Sequence, residues 1–183
     1  MEIRRIDPVN CSVARALAVV GERWSLLIVR EALDGARRFG EFRARLGIAS
    51  NLLAARLDTL VTAGVMRRVP YQDPGDRQRF EYHLTEQGHA LRPTLVALLE
   101  WGDRYLADPQ GPSVIVRHKL ADDGTACEEP VRVVLECAAG HTRLPSQGVY
   151  RAPGPGARFL DPAGPGTAKG SAVAEPLPGR GAP

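Results

Sequence analysis

Residues 39–57 read Phe39-Gly40-Glu41-Phe42-Arg43-Ala44-Arg45-Leu46-Gly47-Ile48-Ala49-Ser50-Asn51-Leu52-Leu53-Ala54-Ala55-Arg56-Leu57. Two helical patterns meet here across three residues. Phe39, Phe42 and Leu46 share one face of a short helix from Gly40 to Leu46. Gly47-Ile48-Ala49 makes the turn, and Ser50 is a good N-cap for the next helix. That helix runs from Asn51 to Ala63, with Leu53, Leu57, Leu60 and Val61 inward, and Gly64 closes it at the C′ position. A short turn sets two helices at a steep angle, so the second can enter a DNA major groove.

The flanks agree with this reading. Upstream, Val13, Ala16, Leu17 and Val20 lie on one helical face, and Gly21 stops that helix. Trp24, Leu27, Ile28 and Glu31 begin another, with Leu26, Val29, Ala32 and Leu33 on its flank. A helix apolar on most sides belongs at the centre of the domain, and Asp34-Gly35 ends it. Downstream the period changes from 3.6 to 2. Residues Val65 to Val69 and Arg79 to Leu84 read as strands around the turn cluster Gln72-Asp73-Pro74-Gly75-Asp76. Thr85 caps a long helix to about Ala107, kinked or started by Pro93. Its seam of Leu91, Leu95, Leu98, Gly102 and Tyr105 is a candidate dimer interface, or packs on its own domain. The order predicts a winged helix-turn-helix, mainly α with a small β-wing (α+β), over residues 1–108. A β-type appendage follows over 109–151, and a Pro/Gly-rich disordered tail over 152–183.

Composition sets outer bounds. The chain has 183 residues and a formal net charge of +3, with only two lysines, Lys119 and Lys169, beside 22 arginines. Charge of this size identifies no anionic partner, but guanidinium binds phosphate and guanine bidentately. No apolar run is long enough to span a bilayer, and residues 1–10 have no secretory pattern. Three widely spaced cysteines make no disulfide framework, so a cytoplasmic home is expected. The basic charge is concentrated. Residues 37–68 hold seven arginines against two acids, a net of +5, and Arg77 and Arg79 flank the hairpin tip. Such a cluster on one motif is the footprint of a phosphate backbone. The expected DNA-contacting residues are Arg37, Arg38, Ser50, Asn51, Ala55, Arg56, Arg77 and Arg79. Arg pairs with guanine and Asn with adenine, while a small alanine permits close approach. Singly, Arg56 also reads as a solvated charge and Ser50 as only a cap.

Several of these segments together resemble one family. Cys11-Ser12-Val13, Val20 to Ile28, Gly35 to Phe42, Gly47 to Ser50, Arg56-Leu57, Gly64-Val65, Tyr71, Glu81 to Thr85 and Trp101-Gly102 are similar to HxlR-type transcriptional regulators, in unbroken order over about residues 9–106. The resemblance implies a bacterial, MarR-related homodimer built from the N-terminal segment and the long last helix. It further implies a double-stranded, roughly palindromic operator as partner, read by a recognition helix and wing from each subunit. The resemblance also makes Cys11 a candidate switch: many such regulators have a cysteine here near the dimer-forming N-terminus, and in some members it senses oxidants or electrophiles. It precedes a helix start near Arg15, the setting that activates a thiolate, although a small buried residue without redox function also fits. The chain departs from the family at Asn51, where a basic residue is frequent, and at Ala54 and Ala55, where polar ones are. Its wing is longer and lacks a Pro-Pro pair. Base readout is therefore thinner or the operator different, which leaves a winged-helix protein–protein adaptor as the alternative.

Beyond residue 108, Val114 to Leu120 and Val131 to Cys137 read as the two strands of a hairpin around an acidic loop. Cys127, Cys137, His118 and His141 lack the paired knuckles of a zinc ribbon, so neither metal nor cofactor is expected. The appendage could hold a small-molecule effector, but no residue specifies one. No catalytic signature occurs, neither Gly-x-Ser-x-Gly nor Walker A nor His-Glu-x-x-His, and no enzyme is expected.

Overall fold

A computed structural model of the chain describes residues 7–75, 77–120 and 124–159. Six helices and one hairpin follow in the expected order: α1 (Ser12–Val20), α2 (Arg23–Leu33), α3 (Phe39–Leu46), α4 (Ser50–Thr62), β1 (Met66–Tyr71), β2 (Arg79–Leu84), α5 (Glu86–His89) and α6 (Arg92–Leu106). This is a winged helix-turn-helix. Helix α2 is central and packs on α1, α3, α4, α6 and β2. Its Ile28, Val29 and Ala32 are fully buried with Phe42 of α3 and Leu53, Leu57 and Leu60 of α4.

Glycines with positive φ end the helices where expected. Gly35 (φ 94°) follows α2, Gly47 (φ 60°) closes α3, and Gly64 (φ 74°) follows α4. After α4, the Gly64 N–H donates to the Val61 carbonyl at 3.0 Å and the Val65 N–H to Leu60 at 2.9 Å. Those two bonds satisfy carbonyls that the helix end would otherwise leave open.

The hairpin is antiparallel, pairing Met66 with Leu84 and Tyr71 with Arg79. Strand β1 extends two residues past the expected Val69. It tolerates Pro70 because it is an edge strand needing no donor on its outer side. A third backbone segment joins it at one point: Arg38 bridges Glu81 on the open edge of β2, and the Tyr82 N–H donates to the Arg37 carbonyl at 2.8 Å.

Four expectations need correction. Ser50 is the first helical residue of α4, and Ala49 occupies the N-cap; the Ser50 hydroxyl instead accepts from Arg43 at 3.4 Å. Thr85 does cap a helix, its Oγ1 accepting from the Gly88 N–H at 3.2 Å, but that helix is the one-turn α5. The chain bends at Ala90-Leu91 before α6, with Pro93 in the first turn of α6, where a missing N–H costs nothing. The face of α1 read as inward is largely exposed, with Val13 66% and Leu17 56% accessible. Lastly, residues 114–120 and 131–137 do not pair along their length; the Val131 N–H donates to the Val116 carbonyl at 2.8 Å, and the rest diverges. His118 and Lys119 bond to residues 127–129, and residues 135–137 turn back on 141–144 through Gly140 (φ 81°). Among the described residues, only single bridges form there.

Among the described residues, hydrogen bonds tie the appendage to α6 and to the N-terminal segment. The Val133 N–H donates to Glu100 Oε1 on α6 at 2.9 Å. The Arg158 N–H donates to Asn10 Oδ1 at 2.9 Å, and the Asp7 N–H to the Arg158 carbonyl at 3.0 Å. Most of the segment read as a disordered tail, residues 160–183, lies outside the described residues. Among those described, no helix is long and apolar enough to cross a membrane.

Candidate nucleic-acid interface

With Leu53, Leu57 and Leu60 buried, α4 turns Ser50, Asn51, Ala54, Ala55, Asp58 and Thr62 to solvent. The surface is polar or small and carries no large apolar side chain. The αL glycine Gly47 and the three-residue turn set α4 relative to α3, and burial of Phe42 and Ile48 fixes that angle.

Arg43, Arg67, Arg77 and Arg79 are exposed, Arg77 and Arg79 on the wing and Arg43 against Ser50 of the stripe. Five other arginines of the motif bond to other parts of the domain. Arg37 turns inward, its NH1 donating to the carbonyls of Ala32 at 2.5 Å and Ala36 at 2.9 Å at the end of α2. Arg38 contacts Glu81, Asp73 and Tyr71 of the wing. Arg45 reaches the Asp34 carbonyl and Glu31. Arg68 pairs with Asp58 at 3.0 Å, joining β1 to α4. Arg56 is 26% exposed and lies 3.3 Å from Glu22 at the start of α2, with its Nε buried and without a hydrogen-bond partner. Sequence alone placed Arg56 at the edge of the stripe; the fold turns it back toward α2.

Two carboxylates order the junction. Glu41 accepts the N–H groups of Arg37 at 2.7 Å and Arg38 at 3.0 Å at the start of α3. These bonds hold its carboxyl below the ordinary glutamate range. Glu81 is likewise held low, by hydrogen bonds from His83 and then Arg38. In turn, Glu81 raises the Arg38 guanidinium. Glu81 and Asp73 were absent from the expected site. The strand register could have placed Glu81 opposite Val69, but nothing local brings Arg38, 43 residues away, to it.

A second exposed surface lies on α1 and α6. The predicted seam divides. Leu91 and Leu95 pack against the domain's own core, while Leu98 (49%) and Tyr105 (62%) are exposed and Gly102 lies between them. Trp101 and Leu106, which the seam omitted, are exposed with them, and Trp101 stacks at a tilt on Tyr105 with centroids 5.5 Å apart. Cys11 is half-buried at the N-cap of α1. In the appendage, Cys137 Sγ lies 3.3 Å from His141 Nδ1; among the described residues no three potential ligands cluster.

Comparison with known proteins matches this architecture. A family model described as HxlR-like helix-turn-helix covers residues 19–110. An uncharacterized HTH-type transcriptional regulator of Mycobacterium tuberculosis, Rv3095, is 44% identical over 145 residues, spanning 79% of this chain and 87% of its own. The Bacillus subtilis HTH-type regulator YdeP is 32% identical over 97 residues, 52% of this chain and 74% of its own. Among solved structures, the candidate transcription factor PA1607 is 42% identical with a TM-score of 0.62, covering 78% of this chain and 94% of that one. PA1374 of Pseudomonas aeruginosa is 40% identical with a TM-score of 0.55, covering 79% and 93%. The 145-residue match is longer than the winged-helix domain, so it takes in part of the appendage.

Proposed function

The chain belongs to the HxlR-like helix-turn-helix family of transcriptional regulators, and from that premise we propose that it binds a roughly palindromic DNA operator as a homodimer. The observation that carries this reading is the solvent-facing stripe of α4 beside exposed wing arginines. Ser50, Asn51 and Ala55 face the bases, and Arg77 and Arg79 follow the backbone or minor groove. Arg56 joins them by releasing Glu22, whose largely exposed carboxylate is re-solvated by water when the pair opens. Arg37 acts from behind, holding the end of α2 in place. The exposed apolar residues of α1 and α6 supply the homodimer contact. Large apolar side chains left exposed on such helices are what a partner protein surface covers.

Selection from a randomised duplex library tests the reading. Enrichment of an inverted repeat, with affinity falling steeply as salt rises, is the expected result. Recovery of no preferred sequence would overturn it and favour the adaptor alternative. Cys11 is the proposed sensor of oxidants or electrophiles, beside exposed Val9 and Val13 of the dimer surface. Cys11→Ser is expected to abolish any oxidant-dependent loss of DNA binding, and a wild-type response in that variant would remove Cys11 from the mechanism.

A further inference from the structure

Arg38 stands where the helix-turn-helix meets the wing. It precedes α3 directly, and its side chain touches three parts of the hairpin. Nε donates to Glu81 Oε1 of β2 at 3.1 Å. NH1 lies 3.4 Å from Asp73 Oδ2 in the tip turn. The guanidinium carbon sits 4.2 Å from the ring centroid of Tyr71, the last residue of β1. One planar group thus holds both arms and the tip. The second oxygen of Glu81 is occupied by His83 Nε2 at 3.0 Å, so the carboxylate is oriented from both sides.

Between the first turn of α3 and the hairpin lies an open cleft of about 410 Å3, lined by Phe39, Gly40, Tyr71, Arg79 and Phe80. Side chains therefore do not pack solidly across it, and Phe80 is 46% exposed. A two-stranded hairpin is marginal by itself, so its outer half depends on what anchors it.

We propose that Arg38 is a positioning residue: its guanidinium, shared among Glu81, Asp73 and Tyr71, locks the wing against α3 in the pose that meets DNA and does not neutralise a phosphate. The inference rests on the DNA-binding reading above. Lysine cannot replace this arginine, because an ammonium makes neither the planar stack nor the two-sided carboxylate contact. The alternative, direct phosphate contact, makes opposite predictions. For a phosphate contact, lysine would substitute well, and removing the charge would lower the salt slope by about one. Removing Glu81 would also tighten binding, since it deletes a negative charge near DNA.

The test uses full-length Arg38→Lys, Arg38→Ala and Glu81→Ala, the duplex recovered by selection, and anisotropy at several salt concentrations. Positioning predicts that all three weaken binding by roughly tenfold, the scale of leaving one segment to be ordered on binding. It also predicts an unchanged salt slope. In the free protein, amide exchange should accelerate at residues 71–73 and 79–81 in each variant. Wild-type affinity in Arg38→Lys, a slope lowered by about one in Arg38→Ala, tighter binding by Glu81→Ala, or unaltered exchange would each overturn the proposal. If an Arg38 variant fails to fold, the direction of the Glu81→Ala change decides. If selection yields no duplex, the DNA-binding reading fails first and amide exchange alone decides the role of Arg38.

Discussion

Two sets of exposed residues in this domain are opposite in chemistry. The α4 stripe with the wing presents Asn51, Ala55, Arg67 and Arg77, while α1 and α6 present Val13, Leu17, Leu98, Trp101 and Tyr105. Water solvates the first without penalty. The second leaves large apolar side chains uncovered, at a cost that a second protein surface removes. Exposure alone therefore says little about function. The kind of side chain exposed tells which partner each surface fits.

The comparison breaks most sharply if one surface is changed and the other responds. Ala55→Glu places a carboxylate against the DNA groove and is expected to weaken operator binding at least 100-fold, about 2.7 kcal/mol. Size-exclusion with light scattering should find the same assembly as wild type. A combined Leu98→Asp and Trp101→Asp change is expected to yield a monomer in that measurement. Its unfolding temperature should stay close to that of a wild-type subunit, and its operator affinity should fall because two half-sites no longer bind together.

A third change touches neither surface. Gly88 of α5 approaches the Val65 carbonyl and Leu84 so closely that a Cβ has no room. Gly88→Ala should cost about 1–3 kcal/mol by overpacking, read as a lower denaturant midpoint with unchanged assembly and salt slope.

The smallest effect is on pH. Glu41 and Glu81 have depressed folded-state values. Their stabilisation is complete above the unfolded glutamate value of about 4.3 and is lost as pH falls through the lower folded one. Amide exchange should therefore loosen the wing and the start of α3 below about pH 4.3, before α1 and α6 respond.

Local rules carried most of the fold. Gly35, Gly47 and Gly64 announced three helix ends because a positive φ is available to glycine at little cost. The leucine spacing on α4 fixed its inner face and so its outer one. The α5–α6 break was legible in Pro93, though not the role of Gly88, because that depends on the Val65 backbone, just before β1, passing close by. In the appendage, 114–120 and 131–137 both alternate, and alternation does not fix a partner. Turn residues such as Gly140 decide it instead.

The candidate site was legible as a charge cluster and not as a set of contacts. Sequence by itself determined the helix order, the turn, the wing and the +5 concentration over residues 37–68, since these follow from periodicity and residue chemistry within a few positions. Only the tertiary structure decided which arginines the domain turns onto itself. It turned Arg37 onto the end of α2, Arg56 toward Glu22 and Arg38 onto a carboxylate 43 residues away, and it left half of the α6 seam uncovered. An arginine's charge belongs to the residue, but the partner that engages it is set by how distant segments pack.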